Sequence, residues 1–155
     1  MKMALRGSIA VSVVALFFSL LTQSPAHAAT ITVNSTDDAG TGTLRQAILD
    51  MNSGDTIDFD PAAFSPASPA TITLASTLPT INKSLTIDGN GGVIIDANST
   101  GRIFLIDDGT GGLSTITLTG LVLTNGLSDS GGAIYTKENL ILTNSTLSGN
   151  SASNG

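Results

Sequence analysis

The 155-residue chain contains no cysteine and no tryptophan, and its one histidine is His27. Without cysteine there is no disulfide framework, no thiolate nucleophile and no cysteine-ligated zinc. Charged residues make up only 12% of the sequence, against about 25% in a typical globular domain. These absences exclude the small disulfide-stapled secreted domains and the enzymes that depend on a cysteine.

What replaces charge is a surplus of threonine, serine, asparagine and glycine. Threonine is common in strands, and the other three are common in turns, so the composition favours an all-β fold. The formal net charge is −6, which argues against nucleic acid or an anionic membrane surface as a partner.

The first 28 residues have the pattern of a secretory signal peptide. Lys2 and Arg6 precede an apolar run from Ile9 to Leu21, and Ala26-His27-Ala28 is a small-x-small cleavage site. The apolar run is too short to cross the hydrocarbon core of a bilayer. Cleavage after Ala28 predicts a secreted or extracellular protein, at the bacterial outer membrane or cell surface. The mature chain would have no histidine, and therefore no Ser-His-Asp site and no His-ligated metal.

Residues 29–83 are predicted to form an N-terminal cap with a strand, a helix over residues 43–52 and the first strands of a stack. Leu44, Ala47, Ile48 and Met51 fall at helical spacing, and Thr43 with Gln46 makes a capping box. One amphipathic helix before a strand-rich region can shield the open end of a sheet stack. An ordinary helix of an α+β domain is the alternative.

Residues 84–155 can be written as rows of short strands. The first strands of the rows, 84–89, 115–120 and 139–144, place apolar residues in two inward columns: Leu85, Ile116 and Leu140, then Ile87, Leu118 and Leu142. The rows end in Gly89, Gly120 and Asn144, residue types that tolerate a left-handed turn. Second strands begin at Val93, Leu121 and Ser145, and third strands at Ile103 and Ala133.

Three short strands per coil of about two dozen residues are typical of a parallel β-helix, in which each coil pairs with its neighbours. A β-sandwich of hairpins is the competing interpretation, because its strands and turns recur at similar spacing. The repeated inward columns favour the β-helix. The third row lacks its third strand, so the pattern predicts two complete coils and part of a third.

Two short motifs carry a resemblance to a known family. Gly131-Gly132-Ala133-Ile134 resembles the GGAI element of the polymorphic outer-membrane protein repeat, and Leu147-Ser148-Gly149-Asn150 is similar to its FxxN partner, with Leu in place of Phe. The opening, residues 31–57, resembles the N-terminal cap of many bacterial secreted β-helix proteins. The resemblance implies a pectate-lyase-like, right-handed parallel β-helix. It implies little about activity, because that fold carries adhesins, autotransporter passengers and polysaccharide-cleaving enzymes.

Carboxylates are the main candidates for chemistry. Asp107 and Asp108, with Asp88 and Asp96, suggest a glycoside hydrolase that uses an acid and a base. A lyase would use Asp-bound Ca²⁺ and a base such as Arg102. Both need carboxylates stacked on successive coils, yet Asp88 and Asp96 align with Thr or Ser in the following rows. A loop at residues 107–109 is the simpler prediction.

Two further patterns are weaker. Asp55-x-x-Asp58-x-Asp60 could bind Ca²⁺ loosely, but it lacks the glycine and the final glutamate of an EF-hand loop, so a solvated strand face is favoured. Among the few aromatic residues, Phe104 lies in an apolar run and is predicted to be core. Tyr135 is the plausible surface aromatic for a sugar to stack on.

Thr-x-Thr triplets suggest ice binding as a third class of function; they begin at Thr30, Thr71, Thr115 and Thr117. A flat ice-binding face needs such pairs on successive coils, and the aligned rows provide them in one coil of the three. An ordinary soluble β surface is favoured.

We therefore predict a secreted or cell-surface β-helix protein with a structural or adhesin-like role. No catalytic residues, cofactor or metal are assigned, and host or cell-surface glycans or proteins are the expected partners. The alternative is the N-terminal part of a polysaccharide lyase or glycoside hydrolase whose active coils lie beyond residue 155. The absence of a cap at Gly155 favours an N-terminal piece of a longer repeat protein.

Overall fold

The structure is a computed structural model that describes residues 28–111 and 113–154, so residues 1–27 of the predicted signal peptide lie outside the described residues. The described chain is a parallel β-solenoid of about five turns with one short helix, which confirms the predicted fold class. Its elements in chain order are β1 (Thr30–Val33), α1 (Leu44–Asp50), β2 (Thr56–Phe59), β3 (Ala70–Thr73), β4 (Leu85–Asp96), β5 (Phe104–Ile106), β6 (Thr115–Thr124), β7 (Leu127–Ser128), β8 (Ile134–Thr136), β9 (Asn139–Thr143), β10 (Thr146–Ser148) and β11 (Ser151–Ala152).

The first strands of the turns form one continuous parallel ladder. β1 pairs with β2, β2 with the first half of β4, that half with the start of β6, and β6 with β9. Because strand side chains alternate between faces, one inward column runs through every turn. Its members are Ile31, Ile57, Ile87, Leu118 and Leu142. The predicted alignment of the last three rows is confirmed.

Residues 29–83 supply two rungs of this ladder, whereas the predicted alignment of rows began at residue 84. β1 and β2, both within residues 29–83, continue the same ladder in register, with Ile57 opposite Ile87. This segment is therefore part of the solenoid as well as its cap. The rungs escaped the alignment because the loops between them differ in length, which breaks any fixed spacing in the sequence.

Two further ladders complete the solenoid. β3, the second half of β4, the second half of β6 and β10 stack on one face, and β5 pairs with β8 on another. Short β7 pairs with β11. Inward side chains from these faces meet in one apolar core, and Phe104 is fully buried there as predicted.

The helix is shorter than the predicted 43–52. It spans Leu44–Asp50, and Thr43 is its N-cap, whose hydroxyl accepts a hydrogen bond from the Gln46 backbone N–H at 3.2 Å. Only this half of the capping box forms, since the Gln46 side chain donates to Asp50 at 2.9 Å. Met51 has extended backbone angles, which end the helix.

The repeat motifs join adjacent turns through the backbone. Gly132 lies so close to the next turn that a Cβ there would be 2.2 Å from the Ser151 carbonyl oxygen. The Asn150 side chain accepts from the Gly126 N–H at 2.7 Å and donates to the Leu123 carbonyl at 2.9 Å. A glycine without a side chain and an asparagine with both a donor and an acceptor are therefore required where one turn closes on the next.

Candidate functional site

Asp107 and Asp108 follow β5 and form a hydrogen-bonded turn. Asp107 accepts from the Gly109 backbone N–H at 2.9 Å. Asp108 accepts from the Thr110 N–H at 2.7 Å and from the Ser114 hydroxyl at 2.6 Å. This is the arrangement expected of aspartates that stabilise a loop, and it agrees with the predicted loop at residues 107–109.

Hydrogen bonds and one ion pair around this turn favour the ionised form of both carboxylates. Lys137 Nζ lies 2.7 Å from Asp107 Oδ2, and this contact lowers the pKa of Asp107 and raises that of Lys137. Hydrogen bonds from the hydroxyls of Ser114 and Thr110 hold the pKa of Asp108 far below its usual range. A general acid needs a raised pKa in order to carry a proton near neutral pH. These two carboxylates are shifted in the opposite direction.

Glu138 contacts this loop from the next turn of the solenoid and was not singled out from the sequence. It is buried, and its Oε1 accepts from the Asp108 backbone N–H at 3.1 Å. Its own N–H donates to the Thr136 hydroxyl at 3.0 Å. No local sequence signal marks it, because the contact joins residues 30 positions apart.

Arg102, the candidate base, joins two turns. Its Nε donates to the Gly131 carbonyl at 2.9 Å, and its Nη2 contacts the Ser128 hydroxyl at 2.9 Å and the Ser130 carbonyl. Its guanidinium also lies 4.9 Å from the centre of the Tyr135 ring. Arg102 is therefore placed as a structural cation, and Tyr135, the candidate sugar-stacking residue, is half-buried beside it.

The three aspartates of the candidate Ca²⁺ pattern are separated in role. Asp55 is buried and accepts from the backbone N–H groups of Asn52 at 2.7 Å and Ala29 at 2.8 Å, which lower its pKa. Asp58 lies on β2, whereas Asp60 follows the strand and accepts from the Ala62 N–H at 2.9 Å. β2 ends at Phe59, so Asp60 lies one residue beyond the strand that carries Asp58, although its N–H still donates to the Val33 carbonyl at 2.8 Å.

The predicted alignment of Asp88 and Asp96 is confirmed, with Asp88 opposite Thr119 and Asp96 opposite Thr124. These aspartates consequently form no acidic ladder across the following turns. The Thr-x-Thr pairs are likewise interrupted, since the β2 rung between Thr30-x-Thr32 and its neighbours carries Asp58 in the second outward position. A continuous Thr-x-Thr face is not built.

A polar depression, here named the corner groove, lies where the first strands turn into the second. It is lined by Asp88, Asn90, Gly91, Thr119, Gly120 and Asn144 and has a volume of about 390 Å³. Asp88 was considered from the sequence as a catalytic carboxylate, but the groove as a unit was missed. The length of the first corner could have revealed the groove in the sequence. Four residues, 89–92, lie where the next turn has only Gly120.

The extra length of the first corner corrects one detail of the predicted corners. Gly120 and Asn144 have φ of +65° and +50°, in the left-handed region as expected. Gly89 does not, and Asn90 and Gly91 adopt that conformation instead, at φ of +47° and +75°. The longer corner moves the left-handed residues further along the chain.

Comparisons with known proteins identify no family. No family model, curated protein or solved structure matches the chain. In residues 28–111 and 113–154, no helix is long and apolar enough to cross a membrane. Within the same ranges, no three acidic, histidine or cysteine side chains lie together as metal ligands would. The fold and the geometry of its surface are therefore the basis for the function proposed below.

Proposed function

We propose that this chain is a secreted or cell-surface β-solenoid with a structural or adhesin-like role, which binds host or cell-surface glycans or proteins through its outer faces. The observation that carries the proposal is the separation of inward and outward columns. Ile57, Ile87 and Leu118 are fully buried, while Thr56, Thr86 and Thr117 form the adjacent outward column of the same strands. The ladder holds these outward side chains in place, so binding would need little reordering.

Features outside the fold support the same role. The pattern of residues 1–28 supports export, and the net charge of −6 disfavours nucleic acid. The resemblance of residues 131–134 and 147–150 to a surface-protein repeat supports a place on the cell surface. Their contacts between turns are those of a structural repeat, and the contacts of Arg102, Asp107 and Asp108 favour binding over polysaccharide cleavage.

Export is tested first, with the full chain carrying a C-terminal tag in a Gram-negative host. We expect the tag in the medium or at the cell surface, and retention in the cytoplasm for Val14→Arg, which interrupts the apolar run. Asn98→Gly, a change at an exposed corner, is the export control. Tag that remains cytoplasmic in the unchanged chain contradicts the localisation.

Binding is tested with the exported protein on immobilised glycans and on extracellular matrix glycoproteins. We expect saturable binding and no release of reducing ends or unsaturated sugars from acidic or neutral polysaccharides. Thr86→Lys with Thr117→Lys alters the first-strand face, and Thr71→Lys with Thr146→Lys alters the second-strand face to the same extent. Unequal losses identify the binding face. Cleavage that Asp107→Ala or Asp108→Ala abolishes supports the enzyme alternative, and absence of binding to every surface contradicts the adhesin-like role.

A further inference from the structure

The corner groove results from one unusually long corner. Four residues, 89–92, connect the two halves of β4, whereas Gly120 alone makes the same turn in β6 and Asn144 occupies that position in the last turn. Of the four, Asn90 and Gly91 are exposed, and Gly89 and Gly92 are buried. Bulges of this kind are frequent next to binding and active sites, where they redirect side chains.

Close backbone contacts hold the long corner in place. A Cβ at Gly92 would lie 2.6 Å from the Phe64 carbonyl oxygen of the preceding turn. On the other side, a Cβ at Gly120 would lie 2.7 Å from the Gly91 backbone nitrogen. The corner is therefore packed against the chain on both sides. The groove is a preformed feature of the backbone.

Several polar side-chain groups of the groove have no hydrogen-bond partner among the described residues. Asp88 Oδ1 accepts from the Asn90 backbone N–H at 2.9 Å. Within residues 28–111 and 113–154, Asp88 Oδ2, the side-chain amides of Asn90 and Asn144, and the Thr119 hydroxyl form no hydrogen bond to the protein, and Asp88, Asn90 and Asn144 are exposed to solvent. Together they offer both donors and acceptors, with one negative charge.

A second corner of the same turn differs from the groove in how its aspartate is paired with the next turn. Asp96 and Asn98 repeat the local geometry, since the Asn98 N–H donates to Asp96 Oδ1 at 2.7 Å and Asn98 has φ of +51°. There, however, the Asn125 side chain of the next turn also donates to Asp96, at 2.9 Å. The next turn places Thr119 opposite Asp88, and it donates no such bond.

We infer that the corner groove binds a neutral saccharide, an inference that rests on the proposed function and names its ligand class and place. Sugar hydroxyls donate and accept hydrogen bonds at once, which matches the carboxylate, amide and hydroxyl groups of the groove. The carboxylate of Asp88 disfavours an anionic ligand. A calcium ion prefers six to eight oxygen ligands with several carboxylates, and the groove supplies one.

The test is an NMR titration of the exported, ¹⁵N-labelled protein with methyl α-D-mannoside and methyl β-D-galactoside. The side-chain amide signals of Asn90 and Asn144 report the groove directly. We expect at least one of these sugars to shift both signals and to leave that of Asn98 in place. Methyl β-D-glucuronide, which carries a carboxylate, should bind less tightly.

The matched variants are Asn90→Gly in the groove and Asn98→Gly at the second corner. Glycine keeps the positive φ at both positions without strain, so the fold is retained and only a side-chain amide is lost. We expect Asn90→Gly to weaken sugar binding by about tenfold, as the loss of one or two hydrogen bonds implies. Asn98→Gly should leave it unchanged. Asn144→Gly provides a second groove variant.

Equal affinity in Asn90→Gly, Asn144→Gly and the unchanged protein overturns the inference. So do groove shifts that appear with calcium chloride and with neither sugar, because they identify a cation site. If the protein binds immobilised glycans but the groove variants bind equally well, the inference fails and the proposed function stands. If neither free sugars nor immobilised surfaces are bound, both fail.

Discussion

The two ends of the described solenoid differ in how deeply their inward side chains are buried. At the N-terminal end, α1 packs beside β1 and β2, and Val33 at the end of β1 is fully buried. In the last turn, Leu142 and Leu147 are 39% and 45% exposed, although their partners Leu118 and Leu123 in the turn before are fully buried. Burial in this fold is therefore set by the neighbouring turn as much as by the column.

Polar contacts differ between the ends in the same way. Arg45 on α1 donates to the carbonyls of Ser76 and Thr77, each at 2.9 Å, and pairs with Asp38 at 2.6 Å. Residues 139–154 contain no Asp, Glu, Lys or Arg. The last described turn therefore has no ion pair or charged donor of its own, and its polar contacts are between neutral groups.

The largest expected effect compares two leucines of one column. Leu118→Ala should lower the free energy of unfolding by about 2 to 5 kcal/mol, because it leaves a cavity between two turns. Leu142→Ala should cost less than about 1.5 kcal/mol, because that side chain is partly exposed. Urea denaturation followed by circular dichroism measures both. Equal losses would show that the last turn is covered in solution.

The next effect concerns the Arg45 contacts at the N-terminal end. Arg45→Lys retains the charge but loses the planar set of donors, and should cost about 1.5 to 3 kcal/mol of unfolding free energy. Lys137→Ala is the comparison, because Lys137 makes one exposed ion pair with Asp107, and such pairs stabilise a fold only weakly. The same denaturation assay applies. A larger loss for Lys137→Ala contradicts the role given to Arg45.

A smaller effect is expected at the helix cap. Thr43→Ala should cost about 1 kcal/mol, since it removes the acceptor for the Gln46 N–H. Thr43→Ser keeps the hydroxyl and should recover most of the loss. Thermal unfolding of the two variants gives the difference, and equal melting temperatures would show that the cap does not depend on this hydroxyl.

The smallest effect is confined to acid solution and concerns Asp55. Its folded-state pKa lies below the ordinary value of an aspartate because of backbone hydrogen bonds from Asn52 and Ala29. The unfolded chain therefore takes up the proton first, so this contribution to stability is present above about pH 4 and is lost as the pH falls. Asp55→Asn should reduce the loss of stability between pH 6 and pH 2.

Asp50→Asn is the control for that experiment, because Asp50 is exposed on α1. Denaturation midpoints at several pH values should show that this variant loses as much stability in acid as the unchanged protein. If Asp55→Asn lost as much stability in acid as the unchanged protein, Asp55 would not contribute to the acid sensitivity of the N-terminal end.

The columns could be predicted because they depend on local rules. Leu85, Ile87, Ile116 and Leu118 alternate with polar residues, and the period of two in a strand places them on one face. Thr43 could be recognised as a cap for a similar reason, since its hydrogen bond is to a residue three positions away. Such patterns can be recognised in the sequence without knowing how the neighbouring turns pack.

The remaining features depend on how one turn lies on another. The extra rungs β1 and β2 are separated from β4 by loops of different length, which hides their alignment. Glu138 and Arg102 find partners about 30 residues away, at positions set only once the turns are stacked. The corner groove depends on the difference between residues 89–92 and Gly120, so no single segment of the sequence contains it.

Because the turns contain different numbers of residues, the length of the solenoid is not proportional to the number of residues in it. Leu85 and Ile116 are 31 positions apart and Ile116 and Leu140 are 24 apart, yet both pairs are partners on adjacent strands. Ladder hydrogen bonds fix the axial rise at about 4.8 Å per turn in each case. Additional residues in a turn widen the molecule at that height and leave its pitch unchanged. Loops of different size can therefore be carried along the solenoid while the spacing of its outward side chains remains constant.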